Sequence, residues 1–287
     1  MEVKKATTID ERLDILEGRG LVIEDRIRAA EVLSNVNYYV LTGYLHDFKD
    51  SEGNYEKGLT FSRVHALYQF DSALRNILLY AMEHVEQALK THISHIIAWE
   101  YPDDPCIYES SDLFKNRLEH TDFMNIFKKT VNANKNIPFV KHYIQKYERH
   151  FPIWVAVELF TMGNLRHLYL NLPNKLRRRI CSHYNISPEI MDSWLENLRI
   201  TRNTLAHNMR LYGKTMMMTP KMPDRYYDEI IIRNRIFDQV RLIRILFPDS
   251  DMWSRIVDDL QTTLTDYLDV IELEKIGFPD NWRDYIE

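Results

Sequence analysis

Glycine is scarce in this chain, at 8 of 287 residues. Hairpin-built sheets use glycine wherever a tight turn needs positive φ, so the shortage points to helices. Cysteine is scarcer still: Cys106 and Cys181 are the two present. Neither belongs to a CxxC pair, and two thiols cannot make a disulfide framework, so a reducing, cytoplasmic setting is expected. No apolar run reaches the roughly eighteen residues of a membrane span. The opening MEVKKATTIDERLDILEGRG has no apolar stretch of the signal-peptide kind. Internal repeats, low-complexity tracts and glycine-rich phosphate loops are all missing. His92 with His95, and His142 with His150, lack the neighbouring carboxylates of a metal set, so neither metal nor cofactor is expected.

What is present is apolar content sufficient for a sizeable core. Hydrophobic residues are 45% and aromatics 12%, which argues against wholesale disorder. Net charge is -5, so the chain is not a generic polyanion binder. Its distribution is uneven. Residues 166 to 214 carry nine Lys/Arg against three Asp/Glu, whereas residues 249 to 287 carry three against eleven. A phosphate-bearing partner would prefer the first region.

Periodicity predicts an all-α helical bundle. Residues 8 to 18 and 24 to 36 read as short helices, and Asn37 to Tyr44 as an aromatic stretch ending in a Gly turn. Residues 49 to 60 read as a loop or small hairpin. A very long central helix follows from about Phe61 to Glu100, with Val64, Leu67, Leu74, Leu78, Ala81, Val85, Ala88, His92 and Ile96 in steps of three and four. Asp71 falls within this stripe, with Arg75 one turn later as a local ion-pair partner. Glu83 and Glu86 read as a solvated or core-pairing face. Tyr101 to Pro105 breaks the helix. Pro152 opens a helix to about Leu170, and Pro173 another that bears Arg177, Arg178 and Arg179. Ser187-Pro188-Glu189 starts a helix reaching about Leu211. Helices over about Tyr227 to Phe247 and Met252 to Ile276 close the chain. Three parts are expected: residues 1–60 with N-terminal helices and the aromatic loop, a core over 61–225, and C-terminal helices over 226–287 that pack on it.

The helix from Ser187 carries the candidate chemistry. Continuing its apolar steps from Leu198 reaches Arg202 before Leu205, so a charge is expected to interrupt the stripe, where it needs a partner or an interface. Asn203 and His207 stand at i and i+4 on one face, so Asn203 can orient the imidazole. Cleavage of RNA through its own 2′-hydroxyl needs a base for that proton and a cation for charge developing on phosphate. Histidine and arginine suit these tasks without a metal. The spacing alone fits equally well a buried ion pair with a capping or core histidine. Arg177 and Arg178 stand at similar distances before His183, so spacing by itself does not single out a site.

Arg202-Asn203-Thr204-Leu205-Ala206-His207-Asn208-Met209-Arg210-Leu211 resembles the RN-x-x-AH-x-x-R-L signature of the Abi-like abortive infection family, of the AbiD and AbiF types. Other blocks agree in order. Gly20-Leu21-Val22-Ile23 is similar to its opening, and Asn37-Tyr38-Tyr39-Val40-Leu41-Thr42-Gly43-Tyr44 to its NYYRLSGY block. Leu67 to Arg75 resembles LY-x-FD-x-x-LR, and Glu83 with Glu86 its E-x-x-E helix. Pro152, Trp154, Glu158 and Gly163 match a further block. Val40 and Thr42 stand where the pattern has Arg and Ser. The blocks span residues 20 to 211. The family is similar to HEPN domains, which are helical bundles and often dimers. The resemblance implies a HEPN-like core and a metal-independent endoribonuclease of phage defence. Arg202 and His207 would be catalytic with Asn203 as their polar companion. Arg210, Lys214, Arg177, Arg178 and Arg179 would guide RNA. It further implies an RNA target, a structured small RNA as a restraining partner, and a homodimer. A non-catalytic RNA-binding module and a purely structural or protein-interaction role are the alternatives.

Overall fold

Residues 5–226 and 233–287 are described by the structure, a computed structural model. Among them, in chain order, lie the helices α1 (Ile9–Glu17), α2 (Arg26–Asn35), α3 (Tyr38–Tyr44), α4 (Phe61–Glu100), α5 (Arg117–Ala133), α6 (Pro138–Lys146), α7 (Ile153–Ala156), α8 (Met162–Asn171), α9 (Asn174–Ser182), α10 (Pro188–Ala206), α11 (Ile236–Leu246), α12 (Ser250–Asp266) and α13 (Leu273–Ile276). β structure among the described residues amounts to two isolated bridges, Val22 with Thr60 and Lys49 with Tyr55. The all-α expectation therefore holds.

The long helix is the axis of the bundle. α4 has 40 residues and starts on the Thr60 hydroxyl, which accepts from the Arg63 amide at 3.2 Å. At about 1.5 Å per residue it spans about 60 Å. Leu67, Phe70, Leu74, Leu78, Ala81, Val85, Leu89, Ile93 and Ile97 are all fully buried along it. Burying a side chain of this kind contributes roughly 1.5–3 kcal/mol, so this one face is a principal source of the bundle's stability. After Val85 the buried line runs through Leu89, Ile93 and Ile97, one residue beyond the expected Ala88, His92 and Ile96. Helices α3, α7, α8, α9, α10, α11 and α12 all pack against α4. Among the described residues no helix is long and apolar enough to cross a membrane.

Several boundaries differ from expectation. Tyr38 to Tyr44 is helical, begun by the Asn37 side chain accepting from the Tyr39 amide at 2.9 Å. The helix expected from Pro152 to Leu170 is divided into α7, a 3-10 turn at Val157–Leu159, and α8. Thr161 and Asn164 form a reciprocal cap that restarts the chain, with Asn164 N–H to the Thr161 hydroxyl at 3.2 Å and Thr161 N–H to Asn164 Oδ1 at 3.1 Å. Of the segment expected as a helix from Tyr227, residues 227–232 lie outside the described residues. Asn234, at φ 65°, precedes α11 in a turn. The last expected helix is divided into α12 and α13.

Where α4 meets the end of α9, the rings of His92 and His183 lie 4.2 Å apart, with Tyr184 against the first of them. Burial, then repulsion from His183 and His95, lowers the His92 pKa below its ordinary 6.5, against a favourable backbone contact at Ile180. A histidine with a depressed folded pKa binds fewer protons folded than unfolded, so stability falls as pH drops through the ordinary value. The melting temperature is therefore expected to decline between about pH 7 and pH 5, and less so in His92→Gln. An equal decline in that variant would remove His92 as its source.

Candidate functional site

The motif occupies the C-terminal end of α10. Ser187 caps the start of this helix by accepting from the Ile190 amide, with Pro188 in the first turn, as the sequence indicates. Its end comes earlier than expected. Ala206 is the last helical residue and His207 is the cap, at φ -96° and ψ 18°. Asn208 then turns left-handed at φ 52°. The Met209 amide donates to the Thr204 carbonyl at 3.0 Å, and the Asn208 amide to that of Leu205 at 3.2 Å. This is a Schellman closure with asparagine in the position glycine usually fills. The His207 side chain is exposed at the exit of this turn.

Arg202 does not interrupt the buried stripe. Thr201 fills that place and is fully buried, and its hydroxyl donates to Gln239 Oε1 at 3.1 Å. Gln239 in turn donates to Asn197 Oδ1 at 3.0 Å, which ties α11 to the inner face of α10. One residue further around the helix, Arg202 faces outward with its side chain 44% exposed, its Nε 3.8 Å from Glu86 Oε2. The other oxygen of Glu86 holds the buried Lys90 at 2.9 Å. Glu86 therefore compensates Lys90 closely and Arg202 loosely, so most of the guanidinium's donors stay free. Asn203 is half-buried beside it.

The chain after His207 is fixed by long-range contacts. Asp71, fully buried on α4, accepts from the Leu211 amide at 2.6 Å, the Tyr212 amide at 2.9 Å and the Tyr44 hydroxyl at 2.8 Å. Arg75 stands 3.4 Å from the same carboxylate and donates to the Met209 carbonyl at 3.3 Å. Burial pushes the Asp71 carboxyl above its ordinary range, and the Leu211 amide, Tyr44, the Tyr212 amide and Arg75 pull it back. Arg210 donates to the Gly43 carbonyl at 2.6 Å. A side chain at Gly213, where φ is 67°, would collide with Asp47. The blocks around Tyr44, Asp71 and Arg210 thus meet in one buried clasp directly behind the exposed histidine.

The remaining candidate residues are dispersed. Lys214 is half-buried, and burial with Arg210 nearby holds its ammonium below the usual lysine range. On α9, Arg177 lies over the Tyr169 ring at 5.0 Å, and Arg179 pairs with Glu100 at 3.0 Å. Arg178 is exposed. Fourteen residues of α10 separate Pro188, beside α9, from Arg202, about 21 Å along the axis. The triple-arginine run and the RN-x-x-AH end are therefore separate surfaces. Between them, Arg166 bonds Asp192 at 3.0 Å, and Arg199 grips Glu196 through two contacts of 2.8 Å. Sequence reading missed this acidic and basic ladder, although the Glu196 and Arg199 spacing of i and i+3 announces part of it. Among the described residues no group of three or more His, Cys, Asp or Glu could hold a metal ion.

No curated protein and no solved structure matches the chain. A family model described as Abi-like protein matches residues 31–213, from α2 through the aromatic block and α4 to the clasp behind His207. The chain belongs to the Abi-like protein family, a membership that supports a role in abortive infection, which is a form of phage defence.

Proposed function

We propose that the protein acts in phage defence as a metal-independent endoribonuclease working at the C-terminal end of α10. The observation that carries this reading is that Arg202 and His207 are each exposed within the last turns of α10, the end that Asp71 holds from behind, so a long arginine side chain has open room to swing toward the imidazole. His207 takes the proton of the RNA 2′-hydroxyl, whose oxygen attacks the adjacent phosphorus. The bond from phosphorus to the 5′-oxygen breaks, that oxygen takes a proton from solvent water as it leaves, and His207 returns its proton to solvent. The products are a 2′,3′-cyclic phosphate and a 5′-hydroxyl. Arg202 forks onto the non-bridging oxygens as charge builds there. Asn203, one turn before the imidazole, orients it. Arg178 and Lys214 attract the backbone, while Arg210 serves first to hold the motif to Gly43.

HEPN-type ribonucleases, which the motif resembles, use paired copies of such a site. A second copy of this chain facing the open α10 end would enclose the phosphodiester, and a structured small RNA would restrain it. The test is incubation of the purified protein with RNA in EDTA, followed by analysis of the cut ends. Cyclic-phosphate and 5′-hydroxyl ends support the reading. Salt-sensitive RNA binding without any cut would replace it with a non-catalytic RNA-binding module, and absence of both would leave a structural role.

A further inference from the structure

A second concave surface lies away from the α10 end. Helix α5 packs on α8, and α8 on α10, so α8 stands between this surface and the motif. It is a cavity of about 640 Å³ bounded by α5, the turn after α6 and the 3-10 turn at Ile107–Glu109. That volume suits a small organic ligand.

Three independent features mark this cavity. The first is backbone strain. Among the described residues five non-glycine positions have positive φ, and three are asparagine, which tolerates it. The other two are adjacent, Glu148 at φ 50° and Arg149 at φ 72°, and both line the cavity. Left-handed backbone is costly for such side chains, and glycine would serve the turn better. The turn delivers Arg149 to Asn132 on α5, where it donates to the amide oxygen.

The second feature is a histidine set by a carboxylate. His150 Nδ1 lies 2.7 Å from Glu109 Oε2, while the rest of its ring stays open to solvent. The third is an orphaned nitrogen. Nε2 of His120, another lining residue, is buried without a hydrogen-bond partner. A buried nitrogen of this kind costs stability unless a ligand satisfies it.

The lining defines the ligand. Met124, Phe127 and Val131 make an apolar floor for a flat ring. The Asn125 amide can read the ring's polar edge, and a turn of the His120 ring would bring its orphaned nitrogen to the same edge. Arg149 and Lys128 are the cations of the rim and suit an anionic group, while Glu109 is taken up by His150 and Glu148 stands in the same turn as Arg149. We propose that this cavity binds a nucleotide unit, with the base on the floor against His120 and the phosphate on the Arg149 and Lys128 rim. The unit comes either from a free mononucleotide or from the terminal nucleotide of an RNA strand.

The test is calorimetry and thermal melting on the full chain. The probes are the four nucleoside 5′-monophosphates, inorganic phosphate, and a short single-stranded RNA with and without a terminal phosphate. At least one nucleotide probe is expected to bind at least tenfold tighter than inorganic phosphate, since the base adds its own contacts. Arg149→Gly is expected to raise the melting temperature of the free protein, by relieving the left-handed backbone, yet to weaken nucleotide binding roughly tenfold. Lys128→Ala, at an exposed position, should weaken binding without altering melting. The RNA probes are measured in His207→Ala, so that the proposed site at the α10 end does not cut them. Binding of mononucleotides identifies the free source, and binding of the phosphorylated RNA alone identifies a strand end. Absence of binding by every probe at about 1 mM overturns the proposal. So does binding that Arg149→Gly and Lys128→Ala leave intact, or inorganic phosphate binding as tightly as any nucleotide.

Discussion

Asp71→Ala is expected to destabilise the protein by about 3–5 kcal/mol, the cost of removing one member of a buried charged pair. The substitution strips the acceptor from four donors at once. The Leu211 and Tyr212 amides, the Tyr44 hydroxyl and the Arg75 guanidinium would all remain buried or half-buried without it. No water reaches a residue that is fully buried on the face of α4. Tyr44→Phe removes a single donor and should cost only about 1 kcal/mol. The two variants together distinguish a clasp from a set of independent bonds. Denaturant unfolding gives the magnitudes, and amide hydrogen exchange at Leu211 and Tyr212 gives the location. Protection at those two amides should collapse in Asp71→Ala before the helices open. If Asp71→Ala costs no more than Tyr44→Phe, the carboxylate is not what holds residues 209–212.

The clasp also explains which parts of the molecule were legible in its sequence. The spacing of Leu67, Leu74, Leu78 and Val85 is local information, and α4 lies where that spacing predicts. Asp71 and Arg75 read correctly as an i, i+4 pair. The other bonds of Asp71 reach residues 27, 140 and 141 positions away, and no local pattern encodes them. The same limit governed the end of α10. Leu205 and Met209 continue a helical step, and no glycine or proline marks a stop. The chain turns at Asn208 because the amides beyond it are captured by a carboxylate from another helix. The place of Arg202 is hidden for a related reason. Thr201 is polar, so the apolar spacing points past it to its neighbour, yet threonine fits inside because Gln239 satisfies its hydroxyl. The break before α8 was legible in principle, since Thr161 with Asn164 is a capping pattern, but the flanking apolar residues masked it.

Outward placement of Arg202 sharpens the last prediction. A buried arginine would confound any activity loss with unfolding. At 44% side-chain exposure, with one contact of 3.8 Å to Glu86, Arg202 can be changed at little cost to the fold. His207, exposed and bonded to the helix through its own backbone amide, can be changed as freely. Under the proposed mechanism His207→Ala removes the base and should slow RNA cleavage by about 10²–10⁴-fold. Arg202→Ala removes phosphate stabilisation and should cost about 10²–10³-fold. Arg202→Lys keeps the charge but loses the fork, so it should recover only part of that loss. Melting temperatures should stay near wild type in all three. Glu86→Gln supplies the opposite perturbation, because it releases Arg202 from its acidic neighbour and should tighten RNA binding while loosening Lys90. Cleavage that survives His207→Ala at the wild-type rate would take the imidazole out of the mechanism. A loss of cleavage matched by a loss of melting temperature would return both residues to the fold.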